Sequence, residues 1–513
     1  MKHKKHVVKS FFKSRFYFIL TLFILELAFI IVTTMFLSSF GQYKWITTTF
    51  RFLSVVIDMY FIIYILNSDK HPRYKLAWIL LVAIFQVLGV FMYLIFADKK
   101  IPHELTNEYM KEQGLLVQDE NVNQKIKDRD ILKQYISTSE CGYPYYLNSA
   151  LKYFSIGEEY FEELLKDIDR AEHFIFLEYF IVKNGEMLDR LVEKLSEKVK
   201  QGVKVYLMYD DGGSLEALPD GLNRRLNSLG INVAVFGPVK ISLLLLSMTN
   251  HRDHRKIVVI DNKIAYSGGV NIGDEYINAE VRFGCWKDSG IRVEGECVRN
   301  FTLSFIQFYN FCSKNKLDYK DFLIEHEFEK KDNVVLPFVD SPTDNMNTCK
   351  NIHLNMINSA KDYIYMCTPY LVIDEELENA LINAAKSNVD VRILVPYIPD
   401  KKSVFMVTRS HYSKLVSNGV RIYEYTPGFV HAKDFVCDDS IGLVGTVNMD
   451  FRSYYLHYEC GFLIHNDDVL LDVKDNFLKA LELSHELTMK EIKNTRAIVH
   501  IARAVMNVFA PLL

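Results

Sequence analysis

His254-Arg-Lys256-Ile-Val-Val-Ile-Asp261, followed after six residues by Gly268-Gly269-Val-Asn271, has a counterpart later in the chain. That counterpart is His431-Ala-Lys433-Asp-Phe-Val-Cys-Asp438, followed at the same interval by Gly445-Thr446-Val-Asn448. Each copy reads His-x-Lys-x-x-x-x-Asp, then Gly-Gly/Thr-x-Asn, with unchanged spacing. A single match could be chance; two in register, one in each half, make a repeat that carries chemistry. Residues two apart on a strand share a face, so His254 stands beside Lys256 and His431 beside Lys433. Asp261-Asn262 and Asp438-Asp439 are turn dipeptides between β-rich runs, which predicts a hairpin at each motif. Counting back from two-residue turns opposes 260 with 263 and 254 with 269. That register sets Asn271 one step beyond His254, and Asn448 near His431. The glycines beside each histidine are expected to leave room for a ligand near the backbone.

Each half should therefore offer an imidazole, an ammonium and a carboxamide around one concavity. One such cluster binds a phosphate. Two that face each other can transfer it: one imidazole attacks phosphorus, the other protonates the leaving alcohol, and the lysines and amides stabilise the equatorial oxygens. Imidazole suits both parts because its pKa lies near working pH. The candidate catalytic residues are His254, Lys256, Asp261, His431, Lys433 and Asp438, with Asn271 and Asn448 as phosphate ligands. For Asp261 and Asp438 a second reading stands beside the catalytic one, that of turn formers accepting local hydrogen bonds. No metal-ligand spacing occurs, and neither a metal nor another cofactor is expected. Glu178, in an apolar strand, is a candidate to orient a catalytic histidine.

Outward from the motifs, strands and helices alternate twice in the same order. Phe174–Val182, a helix near 187–201, Val203–Tyr209 and Val233–Phe236 precede the first motif. Tyr363–Cys367, a helix near 375–387, Val389–Val395 and Arg421–Tyr425 precede the second. This pattern predicts an α/β fold of two tandem domains, 146–320 and 321–513, paired as an internal pseudo-dimer on largely parallel sheets. A charged crossover is expected at 314–333 and a polar linker at 101–145. The eight cysteines are scattered without a Cys-x-x-Cys pair, which speaks against a zinc site, does not suggest a disulfide framework and points to buried free thiols.

Residues 1–100 read as a membrane region. A basic start (Lys2, Lys4, Lys5, Lys9, Lys13, Arg15) leads into apolar runs near 16–40, 50–66 and 76–97, each expected to span. Glu26 and Asp58 lie inside the first two runs and are functional candidates by position. The basic loop Asp69–Lys75 points to the cytoplasm, so three spans would put the catalytic region on the outer face. Free thiols argue the other way, being more at home in a reducing compartment. A net charge of −4 speaks against a nucleic-acid partner.

The paired motif resembles the phospholipase D superfamily. Its surroundings resemble, more narrowly, the bacterial cardiolipin synthases: Gly268-Gly-Val-Asn-Ile-Gly-Asp274-Glu-Tyr276, Trp286-Lys-Asp288, Arg292-Val-Glu294-Gly, Thr368-Pro-Tyr370 and Asn448-Met-Asp-Phe-Arg452-Ser453. The resemblance covers nearly the whole chain. It implies transfer of a phosphatidyl group between two phosphatidylglycerol molecules, with glycerol released through a phosphohistidine. It also implies that His254 is the nucleophile and His431 the general acid, then base. Three features depart from the pattern: the extra apolar run at 52–66, Gly290 where histidine is frequent, and His457 where asparagine is common. The rival functions are a hydrolase or a transferase using another alcohol, a nuclease, and an inactive membrane scaffold. Ile241–Met248 is either a core segment or an acyl-chain contact, and the amphipathic 497–509 is expected to pack as a helix on the protein, with a membrane-surface helix as the alternative.

Overall fold

The computed structural model describes residue 35 and residues 44–97, 143–215, 217–238, 250–329, 331–342 and 346–512. Apart from Met35, the apolar run at 16–40 lies outside them, as do Ile241–Met248 and most of the linker. The chain divides into an N-terminal unit and a large second unit that carries both motifs.

In the N-terminal unit, Lys44–Leu66 is one helix, and Thr48–Leu66 within it is long and apolar enough to cross a membrane. Phe52, Val55, Met59 and Ile63 are exposed on its surface, an arrangement that suits lipid. Pro72–Phe96 passes the same test of length and composition, yet it does not run straight. Gln86 has φ 44° and ψ −125°, and there the helix folds back on itself. The Trp78 and Tyr93 ring centroids are 5.4 Å apart, whereas fifteen residues of straight helix would separate them by about 22 Å. A Cβ at Gly89 would lie 2.5 Å from the Leu81 carbonyl oxygen, so glycine is what lets the two arms meet. Arms of about 21 and 15 Å are each shorter than the roughly 30 Å apolar core of a bilayer. The segment expected as one straight span at 76–97 thus folds as two helical arms that meet. Tyr93 packs on Phe61 and Tyr64, so the second arm ends beside the loop from which the first began.

The second unit contains a repeated sheet. In the first half the strand order is Ala150–Phe154, Gly290–Glu294, Ile264–Gly268, Ile257–Ile260, Phe174–Tyr179, Lys204–Asp210, Asn232–Phe236. The second half repeats it with Val334–Asp340, His457–His465, Ile441–Gly445, Asp434–Cys437, Tyr363–Cys367, Asp390–Pro396 and Arg421–Tyr425, adding Ser484–Glu486 at the edge. The sheets are mixed rather than largely parallel. In each, three strands run parallel, while the motif hairpin enters antiparallel and brings antiparallel neighbours with it. Amphipathic helices such as Glu186–Lys200, which buries Met187, Leu188, Leu191, Val192 and Leu195, cover the outer face.

Helix Val298–Cys312 lies between the halves and joins their cores. Phe305 stacks on Phe176 at 4.3 Å. From the same helix Phe301 meets Phe462 at 4.6 Å, and Phe308 meets Tyr458 at 4.6 Å. Burying each such ring contributes about 1.5–3 kcal/mol, and here that gain depends on both halves being present.

Candidate active site

Each motif histidine sits just past the point where a strand leaves its own sheet for the other half. Arg252–Asp253 pairs in parallel with His457–Tyr458, and the His254 N–H donates to the Tyr458 carbonyl at 2.9 Å. Reciprocally, Gly428–Val430 pairs with Cys285–Lys287, and the His431 N–H donates to the Lys287 carbonyl at 2.7 Å. Each histidine is thus held by backbone of the opposite half. A Cβ at Gly269 would fall 1.9 Å from an Asp288 oxygen and 2.8 Å from the His431 carbonyl oxygen. The glycine expected to admit a ligand instead admits the other motif.

The side chains follow the same exchange. His254 Nδ1 lies 3.0 Å from Glu459 Oε2, and His431 Nδ1 lies 2.8 Å from Asp288 Oδ2. Thr446, the residue that replaces glycine in the second copy, donates its hydroxyl to the same Glu459 oxygen at 2.5 Å. A carboxylate at Nδ1 fixes the tautomer with hydrogen there and leaves the Nε2 lone pair free. Lys256 Nζ donates to the His254 carbonyl at 2.5 Å, and Lys433 Nζ donates to the His431 carbonyl. Phe180 packs on His254 at 4.9 Å between ring centroids, while Trp286 and Tyr276 pack on His431 at 5.3 and 5.5 Å.

Asn271 accepts from the Ile181 N–H at 3.0 Å and donates to the Tyr276 hydroxyl at 2.9 Å, which links it to the ring against His431. Asn448 is buried, and its Oδ1 has no hydrogen-bond partner among the described residues. An amide turned by 180° presents N–H at that position, the group a phosphate oxygen would need.

Burial dominates the electrostatics. Lys256 is lowered to about 7, by burial first and also by Lys433, against the pull of Glu459. Lys433 is lowered to about 8 by burial, opposed by Asp288 and Glu459. Burial and Lys433 push His431 down to about 4, with Asp288 pulling the other way. His254 is held well below its ordinary value by burial, Lys256, Lys433 and His431. Each lysine depresses the histidine of the other half as well as its own, so the two clusters share one electrostatic pocket. Burial would raise Asp288, but His431 and Lys433 outweigh it and keep the carboxyl below its usual range. The resting site thus holds neutral imidazoles beside readily deprotonated ammonium groups.

The structure does not bring Asp261 and Asp438 to this site. About five strand residues, roughly 16 Å, separate them from the lysines. Asp261 accepts from the N–H groups of Glu172, His173 and Phe174 at 2.7–2.8 Å. Asp438 accepts from Lys361, Asp362 and Tyr363 at 2.8–3.0 Å. Both dipeptides have positive φ and close tight turns as expected, with Lys263 N–H donating to the Ile260 carbonyl and Ser440 N–H to Cys437. The register nevertheless slips by one residue from the expected count: Ile260 opposes Ile264, and Cys437 opposes Ile441. An extra residue after each turn bulges the second strand.

Glu178 does not orient a histidine either. It pairs with Arg255 at 2.5 Å, and Arg255 also bonds Asp253 at 2.9 Å and Ser304 at 2.7 Å beneath the motif. The orienting acids are Glu459 and Asp288, which the repeat did not reveal. Asp288 follows Asn271 by 17 positions and Glu459 follows Asn448 by 11, so equal spacing is lost where the partners lie. Gly290 is explained by packing, since a Cβ there would be 2.4 Å from the Tyr160 ring. His457 stands 5.4 Å from the His254 ring centroid, with its Nδ1 3.7 Å from the other Glu459 oxygen. His254, His457 and Glu459 each bring a ligand-type atom to within 4.8 Å of the others, but His254 and Glu459 already bond each other through Nδ1 and Oε2. The neighbouring Lys256 ammonium also opposes a cation there.

Residues 164–285 and 353–481 match the family described as cardiolipin synthase, PLD-like domain, and residues 56–97 match a phospholipase D-nuclease N-terminal family. A cardiolipin synthase of Alkalihalophilus pseudofirmus is 31% identical over 92% of this chain and 95% of its own. One from Geobacillus kaustophilus is 32% identical over 90% and 92%. The solved structure of phosphatidylserine synthase from Haemophilus influenzae is 15% identical, with a TM-score of 0.58 over 74% of this chain and 99% of its own, a likeness of fold.

Proposed function

The chain belongs to the cardiolipin synthase family of the phospholipase D superfamily and is a phosphatidyltransferase, and on that premise we propose that it joins two phosphatidylglycerol molecules into cardiolipin and releases glycerol. The observation that carries this reading is the reciprocal exchange at the site, in which each half supplies one histidine and the acid that orients the other. In the first step His254 Nε2 attacks phosphorus, forming a P–N bond and breaking the bond to the glycerol oxygen. The entering phosphodiester anion favours a protonated His431, which passes its proton to that oxygen, and glycerol leaves. In the second step neutral His431 takes the proton from a hydroxyl of the second phosphatidylglycerol. That oxygen displaces His254, and atoms and charge return to the start. Lys256, Lys433 and the two asparagines bind the non-bridging oxygens and stabilise the charge they gain. No nucleic acid enters this scheme.

The substrate is drawn from a membrane. The hairpin Pro72–Phe96 returns the chain to the end where Lys70 of the preceding loop and Arg73 and Lys75 of its own first turn lie, and that basic cluster favours the cytoplasm. The polar linker that follows gives no means of crossing back. We therefore place the catalytic unit on the cytoplasmic face instead of the outer face expected from three full spans, which agrees with the free cysteines among the described residues. Products from phosphatidylglycerol with a labelled head group test the reaction. Cardiolipin with free glycerol is expected; phosphatidic acid as the product would assign a hydrolase, and a different diester would assign another acceptor alcohol.

A further inference from the structure

The C-terminal helix Ala497–Val508 packs against helix Lys402–Ser417 by one side. Its Met506 joins Val404, Val407 and Phe451 in a small apolar cluster. This much agrees with a helix that packs on the protein. The opposite side is unlike an ordinary solvent face. Ile498, Ile501 and Val505 are 68%, 60% and 52% exposed; Ala497 and Ala504 are exposed among them, and the exposed His500 borders them at one edge. At 100° per residue the five apolar positions form one continuous stripe, with His500 at its margin.

Charge indicates what covers it. From Ile492 to the end the sequence has no Asp or Glu, but it has Lys493, Arg496 and Arg503. Lys493 and Arg496 are exposed just before the helix begins. A chain with net charge −4 thus ends in a purely basic, apolar-faced segment. At about 18 Å the helix is too short to cross a bilayer, but it can lie in the interface with its apolar stripe among acyl chains. We propose that Ala497–Val508 docks flat on an anionic phospholipid surface, with Ile498, Ile501 and Val505 inserted and Lys493 and Arg496 against the head groups. This rests on the chain being a lipid enzyme whose substrate is itself anionic; the helix would hold the catalytic unit against the layer that supplies it.

The test uses the full chain in phosphatidylglycerol vesicles. The Ile501→Trp protein should show extra, blue-shifted tryptophan emission relative to the unsubstituted chain, and bromination of the acyl chains should quench it. Quenching should be weaker in phosphatidylcholine; equal quenching in the two lipids would overturn the electrostatic part. Emission indifferent to bromination, or one that follows protein density and so reports a second copy of the chain, would overturn the docking. Because insertion is read without turnover, quenching in a chain that makes no cardiolipin would refute only the reaction. A second variant, Ile498→Asp with Ile501→Asp and Val505→Asp, changes exposed positions that the fold does not need. It should lose about tenfold in turnover on vesicles, about 1.4 kcal/mol, while turnover of a short-chain, water-dispersed substrate stays within about twofold. Equal losses on both substrates would count against docking.

Discussion

His254 and His431 have similar neighbours but separate duties in the proposed reaction, where the acids behind them set the terms. His254→Ala and His431→Ala should each remove turnover while far-UV circular dichroism is unchanged; substantial activity in either would rule out a two-imidazole reaction. Glu459→Gln and Asp288→Asn keep the shape but release the tautomer, so kcat should fall by about 10²–10⁴ with KM little changed. Asp261→Ala should behave otherwise. It leaves three N–H groups without their acceptor and costs about 1–3 kcal/mol in stability, read as a lower denaturation midpoint, with kcat per folded molecule retained. A large loss of kcat would return Asp261 to the catalytic set. The lysines give a pH signature. Their charged forms prevail below about 7 for Lys256 and about 8 for Lys433, so kcat/KM should fall as pH rises through that window. Lys256→Arg, whose cation does not deprotonate, should move the fall upward, and an unmoved limb would assign it to another group. The repeat made the histidines, lysines and asparagines legible because both copies obey one spacing. Glu459 and Asp288 were hidden because each acts across the halves, and a linear pattern carries no record of which half a carboxylate faces.

Among the elements, strands and amphipathic helices follow from periodicity, and the sequence order of the two halves reappears in their sheets. Hairpin register does not follow from it, since one bulged residue after each turn is invisible in composition. The same limit hides the bend within 76–97. Hydropathy registers how apolar Leu76–Phe96 is, but reversal depends on a single backbone geometry at Gln86 and on the missing side chain of Gly89. The hairpin makes a topological prediction that Cys285, an exposed cysteine of the catalytic unit, can report. A membrane-impermeant maleimide should leave it unmodified in intact cells and label it once the membrane is opened, with Cys285→Ser removing that signal. Labelling of Cys285 in intact cells would put the catalytic unit outside.

For the molecule as a whole, the central fact is that the halves are not independent bodies joined by a linker. One apolar core takes residues from both, helix Val298–Cys312 faces both, and strands cross between them on either side of the site. Phe301→Ala, which removes a ring from that shared core, should cost about 3–5 kcal/mol and lower a single unfolding transition of the catalytic unit; two separate transitions would show that the halves fold alone. The duplication could be read from the sequence, but its intimacy could not, because the residues that join the halves lie outside the repeated motif. The proposed reaction requires two imidazoles from opposite halves to act on one phosphorus. Its most direct measurement uses phosphatidylglycerol labelled with radioactive phosphorus in the diester, quenched during turnover in alkaline detergent, which preserves a P–N bond. The label should appear on the peptide that contains His254, should be missing from His254→Ala, and should accumulate more slowly in His431→Ala. Label on neither histidine peptide during active turnover, or on a peptide that carries neither residue, would contradict it.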